Sequence, residues 1–438
     1  MNENKDDNAI VNEADPQGED ASLTLPFEEQ PVEGQEGPAE SAVEDNGAGD
    51  APETEKPVVK VSVPNPKREV DYTFSLIDQI GEEKVIAIRT SDDAGDLVFD
   101  EVSKALSGRP QTSRDFWMEI ETSQIIYRVD CFINENPRLL WNDIPSDQVV
   151  KPDKDYQAML WPNLEMVAAS HRGRSHAHRG TYRDDDFFID RVGPFTLSIV
   201  ADGAGSAQFS SIGSKVFCRE AGAHFAELVR TKGDALLEVL NRMAQNPTET
   251  DRDPELMSLL YEILPATALY GRKTLMALAS DNGMPLRNYH TTSLISLTVQ
   301  VNPESYFCAV FQVGDGIITV LAGQQMAKIG EADSGEFSGE TVFVTSSGVF
   351  DDANELLKRV HYHFSPSKPI VISMTDGITD SYFANNPKLD NLEIWQKLLS
   401  EVTDDEGRLK SAREICDWLN YYVEGSHDDR TISIIVYK

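Results

Sequence analysis

The 438-residue sequence contains no CxxC pair: its four cysteines, Cys131, Cys218, Cys308 and Cys416, lie far apart. That spacing favours reduced, mostly structural thiols in a cytoplasmic setting over a disulfide framework or a zinc site. No apolar run approaches the 18 or so residues that a bilayer span needs. The opening stretch Met1-Asn2-Glu3-Asn4-Lys5-Asp6-Asp7 has neither a basic start nor an apolar core, so no signal peptide is expected there. Basic side chains are scarce. Lys and Arg number 39 against 74 Asp and Glu, a formal net charge of -35. Such a surface repels phosphate backbones and anionic lipid, which excludes nucleic acid and membrane as partners and makes divalent cations the natural counter-charge. Also missing are a P-loop, a G-x-S-x-G elbow, an H-E-x-x-H helix and a calcium loop of the D-x-[DN]-x-[DN]-G type. Redox and acyl-transfer chemistry therefore lack support, and so does an acidic calcium-binding structural protein.

What is present is unevenly spread. Residues 1–66 hold 17 acidic and 3 basic side chains and a single aromatic, Phe27. Without periodic apolar residues this segment cannot offset its chain entropy, so a disordered acidic tail is expected over 1–66. Residues 67–152 read as a small α/β module of unknown role. Strands are expected at Val85–Ile88 and Ile125–Val129, with Phe99–Leu106 more helical between them.

From residue 166 to 438 the pattern is richer. A strand at Phe195–Val200 leads into helices over Ser206–Arg230, Asp234–Gln245, Pro254–Leu264 and Ala266–Ser280. Strands follow at Thr292–Val301, Ser305–Val313, Ile317–Leu321, Thr341–Thr345, Val360–Phe364 and Ile370–Met374. Helices over Leu389–Val402 and Leu409–Val423 precede a last strand, Thr431–Val436. Helices in blocks around many antiparallel-looking strands argue for an α+β layered fold. The helices at Asp234–Gln245 and Pro254–Leu264 suggest either a cap beside a site or a structural pair. The Gly- and Ser-rich Ala322–Ser338 suggests a mobile flap.

Several aspartates share one context. Asp202, Asp315 and Asp376 each end an apolar strand run and precede glycine; Asp428 precedes the last strand, and Asp185 sits within Asp184-Asp185-Asp186. A strand ending in Asp-Gly lifts a carboxylate to the sheet rim while glycine lets the backbone come close to a ligand. Taken singly, each is a turn. Converging, such carboxylates repel one another unless a cation lies between them, and all-oxygen donors suit magnesium, manganese or calcium.

The ordered set Asp184-Asp185, Val200-Ala201-Asp202-Gly203, Thr291-Thr292-Ser293, Val313-Gly314-Asp315-Gly316, Thr375-Asp376-Gly377 and Asp428-Asp429-Arg430 resembles the metal-dependent PP2C-type (PPM) protein phosphatases over about residues 170–438. Gly173-Arg174-Ser175-His176, Gly180 and Gly335-Glu336-Phe337 are most similar to a bacterial branch of them. The resemblance implies a central antiparallel β-sandwich flanked by helices, four layers in αββα order. It implies a centre of two Mn²⁺ or Mg²⁺ ions and hydrolysis of phosphoserine or phosphothreonine on proteins by a water bridging them. Carried over, Asp202 bridges the ions, Asp185 and the Gly203 carbonyl hold one with Asp184 close by, and Asp376 and Asp428 hold the other. A phosphorylated protein is then the substrate and a Ser/Thr kinase the opposing partner. The arginine implied five residues before Asp185 is Gly180 here, leaving Arg179, Arg183 or His176 to grip phosphate. Position 204, where some relatives carry a proton-donating His, is Ala; Gly316 and Asp429 stand where Ser and Asn are usual. These departures keep a second reading open, a catalytically weak PP2C-like module that binds a phosphoprotein or regulatory partner without turnover.

Overall fold

β1 (Val58–Val61) opens the described part of the chain in this computed structural model, which covers residues 56–92, 95–245, 253–330, 332, 341–383 and 386–438. Residues 1–55 of the expected tail lie outside the described residues. Its end is corrected: Val58–Val61 is not tail but a strand in parallel register with Ile126–Val129. The run Val-Val-Lys-Val has the β-branched content that a paired strand favours. Val58–Lys438 forms one compact unit.

The module is almost all strand, not α/β. After β1 come β2 (Tyr72–Ser75), α1 (Ile77–Ile80), β3 (Val85–Thr90), β4 (Leu97–Asp100), β5 (Ala105–Gly108), β6 (Arg114–Thr122) and β7 (Ile126–Ile133). They form a four-stranded sheet, β1-β7-β6-β3, and a three-stranded one, β2-β5-β4. The helical reading of Phe99–Leu106 fails because Asp100 accepts from the amides of Val102 and Ser103, which folds the chain back into an antiparallel hairpin. Leu76, Ile80, Leu97, Leu106, Phe116, Ile120 and Val129 fill a core of the module's own.

The larger body follows: β8 (Lys154–Trp161), β9 (Leu164–His171), α2 (Arg174–Arg179), β10 (Asp186–Val192), β11 (Phe195–Ala201), α3 (Ser210–Gln245), α4 (Pro254–Asp281), β12 (Ser293–Asn302) and β13 (Ser305–Val313). The chain continues through β14 (Ile317–Ala322), β15 (Gln325–Lys328), α5 (Ala353–Lys358), β16 (Val360–Ser365), β17 (Ile370–Met374), α6 (Asp376–Tyr382), α7 (Leu392–Val402), α8 (Ala412–Trp418) and β18 (Arg430–Tyr437). Two antiparallel sheets result, β10-β11-β12-β13-β16 and β15-β14-β17-β18-β9-β8. They face each other across Met166, Ala168, Val200, Leu294, Val310, Ile318, Val371 and Ile435. Ser198 of one sheet donates to Ser433 of the other at 2.8 Å within that layer.

The opposite face of the five-stranded sheet, with Leu197, Ile199, Leu297 and Phe311, packs under α3 and α4; that of the six-stranded sheet, with Val167, Ile372 and Ile434, packs under α7 and α8. Strands covered on both faces read as nearly continuous apolar runs, which is why the sequence marks them. The mixed α+β class is as expected.

Four readings change. The segments Ser206–Arg230 and Asp234–Gln245 are one helix, and Pro254–Leu264 and Ala266–Ser280 another, with Pro265 inside it. Neither is a cap: Leu236, Leu240, Leu260 and Leu264 are buried in the core against the sheet. Thr341–Thr345 forms no strand, and Thr341 spends its hydroxyl on Asp315 at 2.6 Å. Of the expected flap, Gln325–Lys328 pairs with β14, while residues 331 and 333–338 lie outside the described residues. Among the described residues no helix is long and apolar enough to cross a membrane.

Candidate metal centre

Five strand ends deliver carboxylates to one end of the sandwich. Asp185 stands just before β10, Asp202 just after β11, Asp315 between β13 and β14, Asp376 after β17, and Asp428 shortly before β18. Oxygens of Asp202, Asp315 and Asp376 lie within 4.8 Å of one another. Asp185 meets Asp202 on the inner side and accepts from Thr375 Oγ1 at 2.8 Å. Burial and then the mutual repulsion of Asp185 and Asp376 hold the Asp202 carboxyl well above the usual carboxylate range. Asp376 is raised likewise by burial, Asp315 and Asp428. Asp185 is pushed to about 7 by burial and Asp429. Groups that coexist only by keeping protons are held in common register for a cation, and the donor set is all oxygen. The residues present therefore fit one or two hard divalent ions.

The backbone around them is clamped. The Asp202 amide donates to the Thr292 hydroxyl at 2.8 Å, and the Thr292 amide donates to the Asp202 carbonyl at 2.7 Å. Thr291 Oγ1 donates to the same carbonyl at 2.9 Å, and Gly203 bridges Thr291. Thr291 and Thr292 thus fix the rim from below, as their place at a strand start suggests. Two glycines let the Asp428 segment come close: a Cβ on Gly377 would stand 1.9 Å from the Asp429 carbonyl oxygen, and one on Gly173 would stand 2.3 Å from the Asp428 carbonyl carbon.

The three consecutive aspartates diverge. Asp185 enters the cluster. Asp184 turns to His176, whose Nε2 lies 3.4 Å from Asp184 Oδ2. Asp186 turns the other way to Lys151 Nζ, at 3.1 Å, and to Arg183. Lys151 is buried, and it also donates to the Asp185 carbonyl and to Ser214 Oγ, both at 2.9 Å. Burial would raise Asp186, but Lys151 and Arg183 outweigh it and hold that carboxyl low.

His176 is tied between carboxylates, its Nδ1 donating to Asp429 Oδ2 at 3.0 Å. Burial alone would lower its pKa; Asp429 and Asp184 instead raise it to about 10. Asp429 also receives the amides of Gly173, at 2.5 Å, and Asp184. An aspartate where asparagine is usual therefore has its own partner in His176, and ligand atoms of His176, Asp428 and Asp429 lie within 4.8 Å of one another at the edge of the cluster. Arg183 is corrected as a phosphate ligand: its side chain is fully buried against Asp155 and Asp186, away from the five carboxylates. Arg179 is exposed at the end of α2 and donates to the Ser175 carbonyl at 3.0 Å.

A cleft of about 290 Å³ opens on the cluster, walled by Asp376, Asp380, Asp428, Ser175, Ser426 and His427. The His427 ring packs on Trp141 with centroids 4.2 Å apart, and its Nδ1 is buried without a hydrogen-bond partner. The sequence marks Asp315 among the strand-end carboxylates through its Val-Gly-Asp-Gly context but assigns it no ion; nothing local marks His427.

Residues 172–420, more than half of the chain, match the family described as Protein phosphatase 2C. The chain belongs to that family. No curated protein matches it. Among solved structures it is similar to the Mycobacterium tuberculosis serine/threonine phosphatase PstP/Ppp, with 13% identity and a TM-score of 0.38, covering 63% of this chain and 99% of that one. It is similar to the S. agalactiae serine/threonine phosphatase at 14% identity and a TM-score of 0.39, covering 65% of this chain and 100% of that one. A third likeness is to the PstP catalytic domain in complex with two manganese ions, with 15% identity, a TM-score of 0.39, and coverage of 63% and 99%. The span matched to protein phosphatase 2C leaves Trp141 and Lys151 on one side and Asp428 on the other.

Proposed function

We propose that the chain is a metal-dependent phosphatase acting on phosphoserine or phosphothreonine in proteins, built as an αββα sandwich. The observation that carries this is the clustering of carboxylates from separate strand ends, Asp202, Asp315 and Asp376 within 4.8 Å of one another and Asp202 repelled by Asp185, Asp376 and Asp428, beside a cleft that Asp376 and Asp428 line. In this reading Asp202 would be shared by two ions, Asp185 and the Gly203 carbonyl would help hold one with Asp184 close by, and Asp376 and Asp428 would hold the other. When bound there, Mn²⁺ or Mg²⁺ supplies an acidified water and neutralises charge that develops on the phosphoryl oxygens.

The chain's own residues do the rest. Thr291, Thr292 and Thr375 hold the carboxylates in register, so no reorganisation is spent at the moment of reaction. His176 and Asp429 fix the segment that carries Asp428. With Arg183 turned away, Ser175, Ser426 and His427 are the uncharged side chains on the cleft wall that could meet the phosphoryl group. The free thiols, among them the buried Cys218, Cys308 and Cys416, support a cytoplasmic setting, where a Ser/Thr kinase supplies the substrate.

A second reading, a weakly active module that binds a phosphoprotein, draws on the same loss of a phosphate-gripping arginine. Release of phosphate from a phosphothreonine peptide, with and without Mn²⁺, in the parent and in Asp202→Asn, separates the two. Metal-dependent release that vanishes in the variant supports the enzyme. A parent that binds Mn²⁺ by calorimetry but releases nothing supports the binding module.

A further inference from the structure

A second cavity lies where the N-terminal module meets the segment leading to Asp428. It encloses about 370 Å³ between Lys67, Asp71, Arg109 and Arg138 on one side and Tyr422 and Glu424 on the other. Its charges are unequal in what they have left to offer. Lys67 pairs with Glu424 at 2.9 Å, and Glu69, also on the wall, pairs with Arg68 at 3.4 Å. Arg109 and Arg138 have no carboxylate partner among the described residues; both are exposed, and Arg138 lies 6.0 Å from the Tyr422 ring. Of the three carboxylates on the wall, Glu69 and Glu424 are held by Arg68 and Lys67, and Asp71 has no ion pair among the described residues, so two guanidinium groups face one uncommitted carboxylate.

The same short segment walls both cavities. Tyr422 and Glu424 face the module, while Gly425, Ser426, His427 and Asp428 face the carboxylate cleft. A bridge between Val423 and Ser426 makes it a tight ridge. Six residues span at most about 22 Å, and a folded ridge spans less. An extended peptide with one residue in the cleft would therefore carry a neighbour within about six positions across the ridge.

We propose that this cavity is a docking subsite for an acidic side chain of the substrate, Asp or Glu, flanking the phosphorylated residue and paired to Arg109 and Arg138. Guanidinium groups suit carboxylates because their forked donors match the two oxygens. The module then selects substrates for a centre it does not itself build. This inference rests on the phosphatase reading above.

The test uses the full chain with Mn²⁺ and two substrate types. Hydrolysis of para-nitrophenyl phosphate, which has no flanking residues, reports on the centre alone. Phosphothreonine peptides carrying Glu or Gln at positions up to six residues to either side report on the subsite. A KM about fivefold lower for one Glu peptide than for its Gln partner is expected, with kcat little changed, shrinking as salt is raised. The preference should disappear in Arg109→Ala/Arg138→Ala and return in the double Lys variant. Equal KM values for every Glu and Gln pair, with para-nitrophenyl phosphate hydrolysed, would overturn the subsite and leave the phosphatase standing. No metal-dependent hydrolysis of the small ester would remove the phosphatase reading and the subsite with it.

Discussion

Asp429 receives the His176 ring at 3.0 Å and the amides of Gly173 and Asp184 on the same carboxylate, all buried. One side chain thereby joins α2, the approach to β10 and the approach to β18. The pair is charged in a site that already holds five further carboxylates, so its protonation has consequences for stability.

In chelated protein, stability should fall between pH 6.5 and about 10 through His176, whose folded pKa is raised from 6.5 to about 10. Below 6.5 both folded and unfolded chains hold the proton, and the pair contributes fully. Above that the unfolded chain releases its proton first, and the contribution is lost as pH rises through the folded value. A shift of that size corresponds to on the order of 5 kcal/mol. Urea melts at several pH values should show this slope in the parent and its loss in His176→Asn. Equal slopes would refute the ion pair.

The carboxylate cluster predicts how metal and proton compete. Asp185 moves from the ordinary 3.8 to about 7 on folding through burial and Asp429, and Asp202 and Asp376 are raised as well. Below pH 4 both states are protonated and nothing is lost. As pH rises to 7 and beyond, the folded carboxylates ionise against one another and the metal-free protein loses stability. The increase in Tm on adding Mn²⁺ should therefore be larger at pH 8 than at pH 5. An increase independent of pH would mean the ion binds elsewhere.

Gly377→Ala tests the clamp on the Asp428 segment. The added methyl would meet the Asp429 carbonyl oxygen at 1.9 Å, a backbone atom that cannot rotate away. A loss of about 1–3 kcal/mol in stability is expected, together with weaker Mn²⁺ binding by calorimetry. Gly205→Ala is the control, since a Cβ there meets nothing within 4 Å.

His427→Ala should raise KM for para-nitrophenyl phosphate about tenfold, consistent with a lost hydrogen bond to a charged group. Trp141→Ala should produce a smaller change in the same direction, because the ring loses the neighbour 4.2 Å away that orients it. Steady-state kinetics with unchanged KM in both variants would remove His427 from the phosphate wall.

Strands buried on both faces were readable from sequence alone: β13 and β17 span the expected residues because their apolar runs are unbroken. β8 was not, since only one edge of it is paired and most of its side chains are exposed. Nor was the continuity of α3 across Gly233, where the missing side chain makes room for the Phe195 ring. The cluster of Asp202, Asp376 and Asp428 could be anticipated because each carries its own strand-end context. Asp185 could be favoured over its neighbours by resemblance, but the partners that separate the three aspartates could not be read, because they are distant: Asp429 is 245 positions away from Asp184, and Lys151 is 34 from Asp185. The module's unpaired arginines escaped notice for the same reason, since being unpaired is a property of the folded neighbourhood.

Lys151 and β8 give the larger body a border that differs from the span its family covers. A chain trimmed to begin at Arg172 would lack the amine that neutralises Asp186, and it would lack β8 and β9 beside β18. β18, apolar along nearly its whole length, would then present a bare hydrogen-bonding edge to other molecules. Shortened versions used for crystallisation or assay should keep everything from the Lys151 turn onward, or they will report on aggregates instead of on the folded chain.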